Sequence, residues 1–221
     1  RLKDRGVPEL LPAPGRQADT GLRPSRIPAE FGDYEPGVHE DQWPAGEKAA
    51  RKRLAAFVES RIEDYAEARD IPAIHGTSGV SAYLTLGMLS PRRCLREAAE
   101  ASSKSAEAAL TDGDKGVTTW ISELIWRDFY INIVKGFPRV SMHRPFQLKT
   151  EKVRWKDNDA HFKAWCEGRT GVPIVDAGMR QLHEQGWMHN RVRMITAMYL
   201  TKNLFIDWRK GEKFFMQHLV D

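Results

Sequence analysis

The sequence predicts an all-α protein, and three observations lead to that fold class. Apolar side chains recur at three- and four-residue spacing through most of residues 47–220. No segment alternates apolar and polar residues over the length of a strand, and no hairpin dipeptide separates two apolar runs. Helix boundary signals, such as Ser90-Pro91 and the Gly136-Phe137-Pro138 stop, bracket the periodic segments.

The first 45 residues differ from the rest of the chain. They carry seven of the twelve prolines and show neither helical nor strand periodicity. We therefore expect residues 1–45 to be a proline-rich interdomain linker and residues 46–221 to form the helical part. The chain starts with Arg1 instead of Met, and its last apolar segment reaches Asp221 without a stop signal. Both features lead us to expect part of a longer protein, with a helical domain that is incomplete at its C-terminal end.

The first two predicted helices have clear boundaries. Residues 47–69 place apolar side chains at helical spacing, and Pro72 stops the pattern. The next helix opens at Ser90, a preferred N-cap residue, with Pro91 at the first helical position, and it runs to about Ala101.

Two stretches between the later helices lack a periodic pattern. Residues 102–116 carry Ser, Asp and Gly and are predicted to be a loop or a frayed helix end, and residues 138–156 are predicted to be mostly irregular. The remaining helices are expected at residues 117–135, 158–167, 173–185, 190–203 and 210–220.

Composition narrows the classes of function. A net charge of +4 with 29% charged residues is typical of a globular protein, and it is only a weak signal for nucleic-acid binding. No apolar run approaches the roughly 18 residues that a membrane span needs. Cys94 and Cys166 are too few for a disulfide framework, so we expect two reduced, buried thiols in an intracellular protein. The seven histidines form no zinc-spacing motif, and no metal is predicted.

Aromatic residues concentrate in the second half of the chain. Of 21 Phe, Trp and Tyr residues, 15 lie between Trp120 and Asp221, and these include six of the seven tryptophans. A tryptophan-rich core would account for this distribution, because large rings bury much apolar area. A site that stacks flat ring systems would account for it as well, and the composition leaves both interpretations open.

One helix face carries a candidate reactive carboxyl group. Trp120, Glu123, Arg127 and Tyr130 are predicted to share this face, with Trp126 beside Glu123. A surface ion pair between Glu123 and Arg127 is one interpretation, and such a pair contributes little stability. The other interpretation is a carboxyl group that is desolvated among indoles and acts as a hydrogen-bond or proton donor.

Two further segments are candidate phosphate sites. Residues 186–194 open a helix with Asn190, Arg191 and Arg193 in close succession, and arginines at a helix N-terminus suit phosphate groups. Residues 76–81 place hydroxyl side chains beside two glycines, so they can offer several hydrogen-bond donors to a phosphate. A solvated polar turn and an ordinary loop are the alternative interpretations.

Together, these segments resemble the flavin-binding helical domain of DNA photolyases and cryptochromes. The resemblance covers residues 46–221 and is nearest to photolyases that repair cyclobutane pyrimidine dimers. It implies a light-dependent DNA lyase in which an electron from excited, reduced FAD splits a flipped-out dimer and then returns. The stretches that carry it are residues 77–81, 120–130, 143–146, 171–180 and 186–194.

The resemblance also implies the site residues. Positions that match the FAD-binding residues are Tyr65, Thr77, Ser78, Gly79, Val80, Ser81, Trp120, Glu123, Arg127, Asn190, Arg193 and Asp221. Positions that match the DNA-binding residues are Arg69, Glu123, Leu124, Ile125, Trp126, Arg127, Asp128, Phe129, Tyr130, Asn190, Arg191 and Val192. The catalytic pocket matches Glu123, Trp126, Asn190 and Met194. A tryptophan chain that feeds electrons to the flavin matches Trp155 and Trp208.

The resemblance further implies the partners and location of the protein. The expected partner is damaged DNA, and no membrane is expected. The protein is expected to be a monomer with a cytoplasmic, DNA-associated location. An antenna chromophore of the folate or deazaflavin type is expected in a domain absent from this chain. The chain departs from the family pattern at Gly79, where a basic or polar residue is common, and at Val80, where leucine is usual.

Two other functions stay open on the sequence. One is a cryptochrome-type photoreceptor that acts through a protein partner, and an assay of dimer repair separates it from a photolyase. The other is a light-independent helical module that binds DNA through phosphates, and the absence of flavin absorbance would identify it.

Overall fold

The computed structural model describes residues 6–7, 9–12, 15, 19, 21, 41–104, 106–109 and 113–221. Every regular element in these residues is helical, so the predicted all-α class is confirmed. Most of the predicted linker at residues 1–45 lies outside the described residues. None of the described helices is long and apolar enough to cross a bilayer.

The helices follow the order of the chain, with short connections. The α-helices are α1 (Glu47–Ser60), α2 (Tyr65–Ala68), α3 (Ser81–Thr85), α4 (Pro91–Glu100), α5 (Ala106–Ala109), α6 (Lys115–Gly136), α7 (Asp159–Cys166), α8 (Pro173–Gln185), α9 (Asn190–Met198) and α10 (Trp208–His218). Pro138–Met142 and Leu148–Lys152 form 3-10 turns, and Tyr199–Asn203 forms a π-helical turn directly after α9.

Local signals fix several of these boundaries as the sequence predicts. The Ser90 hydroxyl accepts a hydrogen bond from the backbone N–H of Arg92 at 3.2 Å and caps α4, which begins at Pro91. Gly186 ends α8 in the left-handed conformation, with φ of 61°. One start differs from the prediction: the carboxylate of Asp207 accepts from the N–H of Arg209 at 3.0 Å and caps α10, which begins at Trp208 instead of residue 210.

The predicted helix over residues 47–69 is wrong in its continuity, because the chain breaks after α1 and turns into the short α2. The turn brings the backbone of Ile62 and Glu63 against Gly116 on α6. A Cβ atom at Gly116 would lie 2.1 Å from the carbonyl oxygen of Ile62, so only glycine permits this approach. The break is therefore set by packing between distant segments.

The predicted loop over residues 102–116 is also shorter than expected, because it contains α5 and the start of α6. The carboxylate of Asp114 accepts hydrogen bonds from the Ser102 hydroxyl at 3.0 Å and from the backbone N–H of Ser103 at 2.8 Å. These bonds fold the segment back on itself and hold the entry to α6. Helix α3 was not predicted from the sequence.

Two hydrophobic cores hold the helices together. The first is formed by α1 to α6, and Leu54 and Phe57 are fully buried in it. The second is formed by α7 to α10 around Trp165, whose indole N–H donates to the backbone oxygen of Thr196 at 3.0 Å. Rings of Phe214 and Phe215 lie 5.5 and 5.4 Å from the Trp165 ring. For this tryptophan, the interpretation as core is confirmed.

The two cysteines lie in different cores and are both free thiols. Cys94 is buried, and burial raises its pKa to about 12. Cys166 is only half-buried, where full burial was predicted, and burial raises its pKa to about 11. Both thiols are therefore protonated at neutral pH and unreactive as nucleophiles.

Polar contacts join the two cores along a seam. The guanidinium of Arg191 at the start of α9 donates to the carboxylate of Asp70 after α2, at 2.7 Å. The indole N–H of Trp43 donates to the backbone oxygen of Gln185 at 2.7 Å. Two cavities, of about 350 Å³ and about 550 Å³, lie along this seam, because residues of both cores line each of them.

Candidate functional site

The smaller cavity is a cleft that brings together most of the predicted FAD-binding residues. Nine of those twelve positions line it. Asn190 is exposed at the start of α9 outside the lining, while Thr77 and Gly79 line the larger cavity on the other side of their loop. The cleft is lined by Tyr65, Ser78, Val80, Ser81, Leu84, Thr85, Trp120, Glu123, Leu124, Arg127, Arg193 and Asp221.

Aromatic side chains of the first core form one wall of the cleft. Tyr65 on α2 and Trp120 on α6 are both buried, and the Phe57 ring packs behind them at 5.7 Å and 5.3 Å. Burial raises the pKa of Tyr65 to about 12, so its phenol stays neutral. This wall is aromatic, and its rings are inclined to one another, because the Phe57 ring is nearly perpendicular to that of Tyr65 (88°) and tilted by 42° from that of Trp120.

An arginine and an aspartate of the second core face that wall. The guanidinium of Arg193 donates to the carboxylate of Asp221 at 3.1 Å and to the backbone oxygen of Met188 at 3.3 Å. The Nε atom of Arg193 is buried and has no hydrogen-bond partner within the described part of the chain. The cleft therefore offers a bound molecule a charged donor and a carboxylate acceptor side by side.

Glu123 forms its ion pair across the fold instead of along its own helix. Its Oε1 atom lies 2.5 Å from Nη1 of Arg69, which follows α2, and the side chains are 34% and 17% exposed. The guanidinium of Arg69 also lies 5.4 Å from the centre of the Tyr65 ring. Arg127 instead donates to the backbone oxygen of Leu84 at 3.2 Å. Of the two interpretations of Glu123, the surface pair with Arg127 is therefore wrong, because each side chain has a tertiary partner.

Two arginines bond the backbone of the loop at residues 76–81, Arg53 on α1 and Arg61 directly after that helix. Arg61 donates to the backbone oxygen of Thr77 at 3.2 Å, and Arg53 to that of Gly79 at 3.4 Å. Burial, together with the nearby charge of Arg53, lowers the pKa of Arg61. Gly79 adopts φ of 62°, a conformation that glycine takes without strain. The hydroxyl side chains of this loop thus lie in a positively charged region.

The exposed half of α6 carries the predicted stacking residues. The rings of Phe129 and Tyr130 lie 5.3 and 6.0 Å from that of Trp126, and all three side chains are about half exposed. Ile125 and Asp128 are exposed on the same half. Tyr130 was expected on the face of Trp120 and Glu123, but it lies beyond the cleft and packs on Trp126. The predicted DNA-binding segment is thus split between the cleft and an outer aromatic surface.

The start of α9 presents its side chains in two directions. His189 caps the helix by accepting from the N–H of Arg191 at 3.2 Å, and Val192 is buried in the second core. Met194 is exposed, and its sulfur lies 3.8 Å from Nη1 of Arg191. Asn190 is exposed as well. Asn190 is therefore solvated, as in the plainer of the two interpretations, whereas Arg191 reaches Asp70, Arg193 reaches Asp221 and His189 is buried.

The predicted electron-transfer tryptophans, Trp155 and Trp208, do not line the cleft. The ring of Trp155 lies 5.3 Å from that of Phe205, and the guanidinium of Arg209 lies 4.7 Å over the ring of Trp208. Both indoles are half-buried. In the described ranges, no group of three or more His, Cys, Asp or Glu side chains is placed to hold a metal ion.

Three charged residues around the site were not predicted from the sequence. Arg53 and Arg61 face the larger cavity and form no ion pair with a described carboxylate, and Asp70 pairs with Arg191. One signal was available for the arginines, since neither has an acidic residue four positions away on its own helix. No local signal identifies Asp70, because its partner comes from a distant helix.

Comparisons with known proteins agree with this geometry. Residues 120–221 match the family described as the FAD binding domain of DNA photolyase. The deoxyribodipyrimidine photo-lyase of Escherichia coli (strain K12) is 44% identical, over 100% of this chain and 45% of the relative. The chain therefore spans less than half the length of that relative.

Solved structures give the same fold. A class III photolyase from Agrobacterium tumefaciens matches with a TM-score of 0.75 and 38% identity, over 82% of this chain and 36% of that structure. A Synechocystis cryptochrome matches with a TM-score of 0.75 and 31% identity, over 90% of this chain and 41% of that structure. The resemblance that the sequence motifs suggest is thereby confirmed.

Proposed function

This chain belongs to the DNA photolyase and cryptochrome family, and we propose that it is part of a deoxyribodipyrimidine photolyase. In this proposal, residues 46–221 are the N-terminal part of the helical domain that holds FAD and receives damaged DNA, and residues 1–45 are the linker to another domain. The observation that carries the proposal is the cleft, where the Arg193–Asp221 pair and the Arg69–Glu123 pair both face the aromatic wall.

The cleft suits a flavin nucleotide on the chemistry of its lining. Tyr65 and Trp120 provide the aromatic wall, and the buried Nε of Arg193 is a hydrogen-bond donor that still lacks an acceptor. The hydroxyls of Ser78 and Ser81, with Arg53 behind their loop, suit the diphosphate. When bound in its reduced form, FAD supplies an electron donor that blue light can excite.

Binding of an extruded dimer requires residues that stack on its bases and residues that hold the phosphates beside it. A dimer stacked inside a duplex cannot reach the cleft, and photolyases are among the enzymes known to extrude their target bases. In our proposal, Trp126 stacks on the extruded dimer, and Arg69 and Arg191 hold the phosphates beside it. Asn190 and Met194, both exposed at the start of α9, complete the walls of this pocket.

Glu123 is proposed to stabilise the dimer once it has received an electron. In this role its carboxyl group donates a hydrogen bond to a pyrimidine oxygen, and because the group lies beside the aromatic wall and is partly shielded from water, that bond is stronger there than in solution. The cyclobutane ring opens, and the electron returns to its source, so no net oxidation or reduction occurs. Trp155 and Trp208 would supply electrons to a flavin that has become oxidised.

A cryptochrome-type photoreceptor is the second candidate, because the Synechocystis cryptochrome matches this fold as closely as the photolyase does. The two candidates share FAD and the tryptophans, and they differ in whether a dimer is repaired. For a photolyase, we further propose that the protein is an intracellular monomer. We also propose that an antenna chromophore of the folate or deazaflavin type binds outside these residues.

The decisive experiment measures flavin and repair on the same preparation. The purified full-length protein is expected to release FAD on denaturation and, once reduced, to restore a thymine dimer in an oligonucleotide under blue light. A flavin-containing protein without repair activity would favour the cryptochrome. A colourless protein that releases no flavin would refute both and leave a light-independent DNA-binding module.

A further inference from the structure

The carboxylate of Asp70 lies between the two arginines that are proposed to hold DNA phosphates. Its Oδ1 atom accepts a hydrogen bond from Nε of Arg191 at 2.7 Å and lies 3.6 Å from Nε of Arg69. The hydrogen bond from Arg191 holds the pKa of Asp70 below its ordinary value, so this carboxylate is charged at neutral pH. Arg69 in turn pairs with Glu123, so the four side chains form one connected chain.

The geometry at Arg191 leaves the outer end of its guanidinium free to bind. Asp70 uses only the inner Nε atom, and the Arg191 side chain is 40% exposed. Among the described residues, the polar contact of the Nη groups is a weak one, at 3.8 Å to the sulfur of Met194. A guanidinium held by Nε keeps a planar pair of N–H groups, which matches the oxygens of a phosphate.

Asp70 also ties together two elements that belong to different cores. It follows α2 in the first core, whereas Arg191 begins α9 in the second. The described helices of the two cores make few contacts with each other, so this ion pair helps to set where Arg191 lies relative to Glu123. A long arginine side chain without such a partner would sample many rotamers and lose entropy on binding.

We propose that Asp70 is a positioning residue for DNA binding, which holds Arg191 with its Nη groups directed at a phosphate of the damaged strand. This inference rests on the proposed function. A positioning role and charge repulsion predict opposite results. If Asp70 acted only through its charge, it would repel phosphates, and its removal would strengthen DNA binding. If Asp70 acts by positioning, its removal weakens binding.

The test compares variants of the flavin-loaded, full-length protein on a duplex oligonucleotide with one thymine dimer. Asp70→Ala is expected to weaken binding by roughly five- to tenfold, the loss of about one charge-assisted hydrogen bond. The slope of the logarithm of the binding constant against the logarithm of salt concentration should also decrease in magnitude by about the contribution of one phosphate contact. Asp70→Asn keeps an oxygen acceptor for Nε and should restore most of the affinity.

Asp64→Ala is the matched control, since it removes a nearby acidic charge whose carboxylate makes no hydrogen bond or ion pair in the described part of the chain. Arg191→Lys keeps the charge but lacks the planar fork, so adding Asp70→Ala to it should cause little further loss. Flavin content and thermal unfolding of each variant are measured alongside, because Asp70 also joins the two cores.

Tighter or unchanged binding by Asp70→Ala, equal to that of Asp64→Ala, would overturn the positioning role. The positioning role would also be overturned if Asp70→Ala and Asp70→Asn lost equal DNA affinity and if the effects of Asp70→Ala and Arg191→Lys were fully additive in the double variant. A wild-type protein that does not prefer the dimer-containing duplex over the undamaged one would contradict the proposed function itself. The two failures are therefore distinguishable.

Discussion

Glu123 is bonded by Arg69, a residue 54 positions earlier in the chain, and not by Arg127, which lies one turn further along the same helix. This pairing fixes the carboxyl group at the mouth of the aromatic cleft and leaves Arg127 to bind the backbone of α3. A pair that is partly shielded from water holds its geometry better than an exposed helical pair does. The orientation of Glu123 is thus a tertiary property.

Glu123→Ala is expected to lower the repair yield far more than DNA binding. The carboxyl group is proposed to act on the dimer after it gains an electron, so its loss should cost roughly tenfold or more in dimers split per absorbed photon. Photon-counted repair and equilibrium binding are measured on the same duplex. Glu97→Gln is the control, because Glu97 also pairs with an arginine but lies on α4 outside the cleft lining. An unchanged quantum yield would remove Glu123 from the reaction.

Arg193→Ala is expected to lose flavin. The guanidinium bonds Asp221 and lines the cleft, and its Nε atom is a buried donor without an acceptor among the described residues. Removing one charge-assisted hydrogen bond should weaken FAD binding by about tenfold or more. Flavin released on heating, per mole of protein, reports the loss. Arg180→Ala is the control, since Arg180 bonds the backbone of Gly168 away from the cleft, and equal flavin content in both variants would argue against the assignment.

Gly178→Ala should destabilise the second core. A Cβ atom there would lie 2.3 Å from Val192 and 3.1 Å from Thr196, so α8 and α9 would have to move apart. Overpacking of this kind costs about 1–3 kcal/mol in the free energy of unfolding. At Gly136, in the last turn of α6, no atom lies within 4 Å of such a Cβ, and alanine should be neutral or stabilising by up to about 1 kcal/mol. Urea unfolding of the two variants gives the comparison, and equal stabilities would contradict it.

Stability should fall in mild acid through His189. Burial lowers the pKa of this residue from 6.5, while Asp70 and Arg191 nearby act in opposite directions. The unfolded chain takes up a proton more readily than the folded one, so the stability from His189 is complete above pH 6.5 and is lost as the pH falls below it. Protonation of Nδ1 would also break the cap on Arg191.

The variant His189→Asn separates this effect from other acid-sensitive groups. Asparagine keeps an acceptor for the helix cap but does not titrate. The free energy of unfolding, measured by urea at about pH 7.5 and about pH 5.5, should therefore fall less in the variant than in the wild type. An identical loss in both proteins would assign the pH dependence to other residues.

Local features of the chain were enough to predict the helices that have strong end signals. Ser90 and Gly186 act within a few residues of themselves, and the boundaries they mark agree with the structure to within a residue. The break after α1 could not be predicted in this way, because its cause is the close approach of Ile62 to Gly116 from another helix. Most residues of the cleft were named through the family resemblance, which rests on contiguous stretches such as residues 77–81 and 120–130.

The sequence by itself determined the all-α class and most helix positions, because helical periodicity and capping are properties of neighbouring residues. The resemblance to a known family, carried by short motifs, named nine residues that line the cleft. Only the tertiary structure decided that there are two cores, that Glu123 binds Arg69, and that Asp70 holds Arg191 across the seam. These are pairings between residues far apart in the chain. Their energies depend on how the helices pack, and no local pattern in the sequence carries that information.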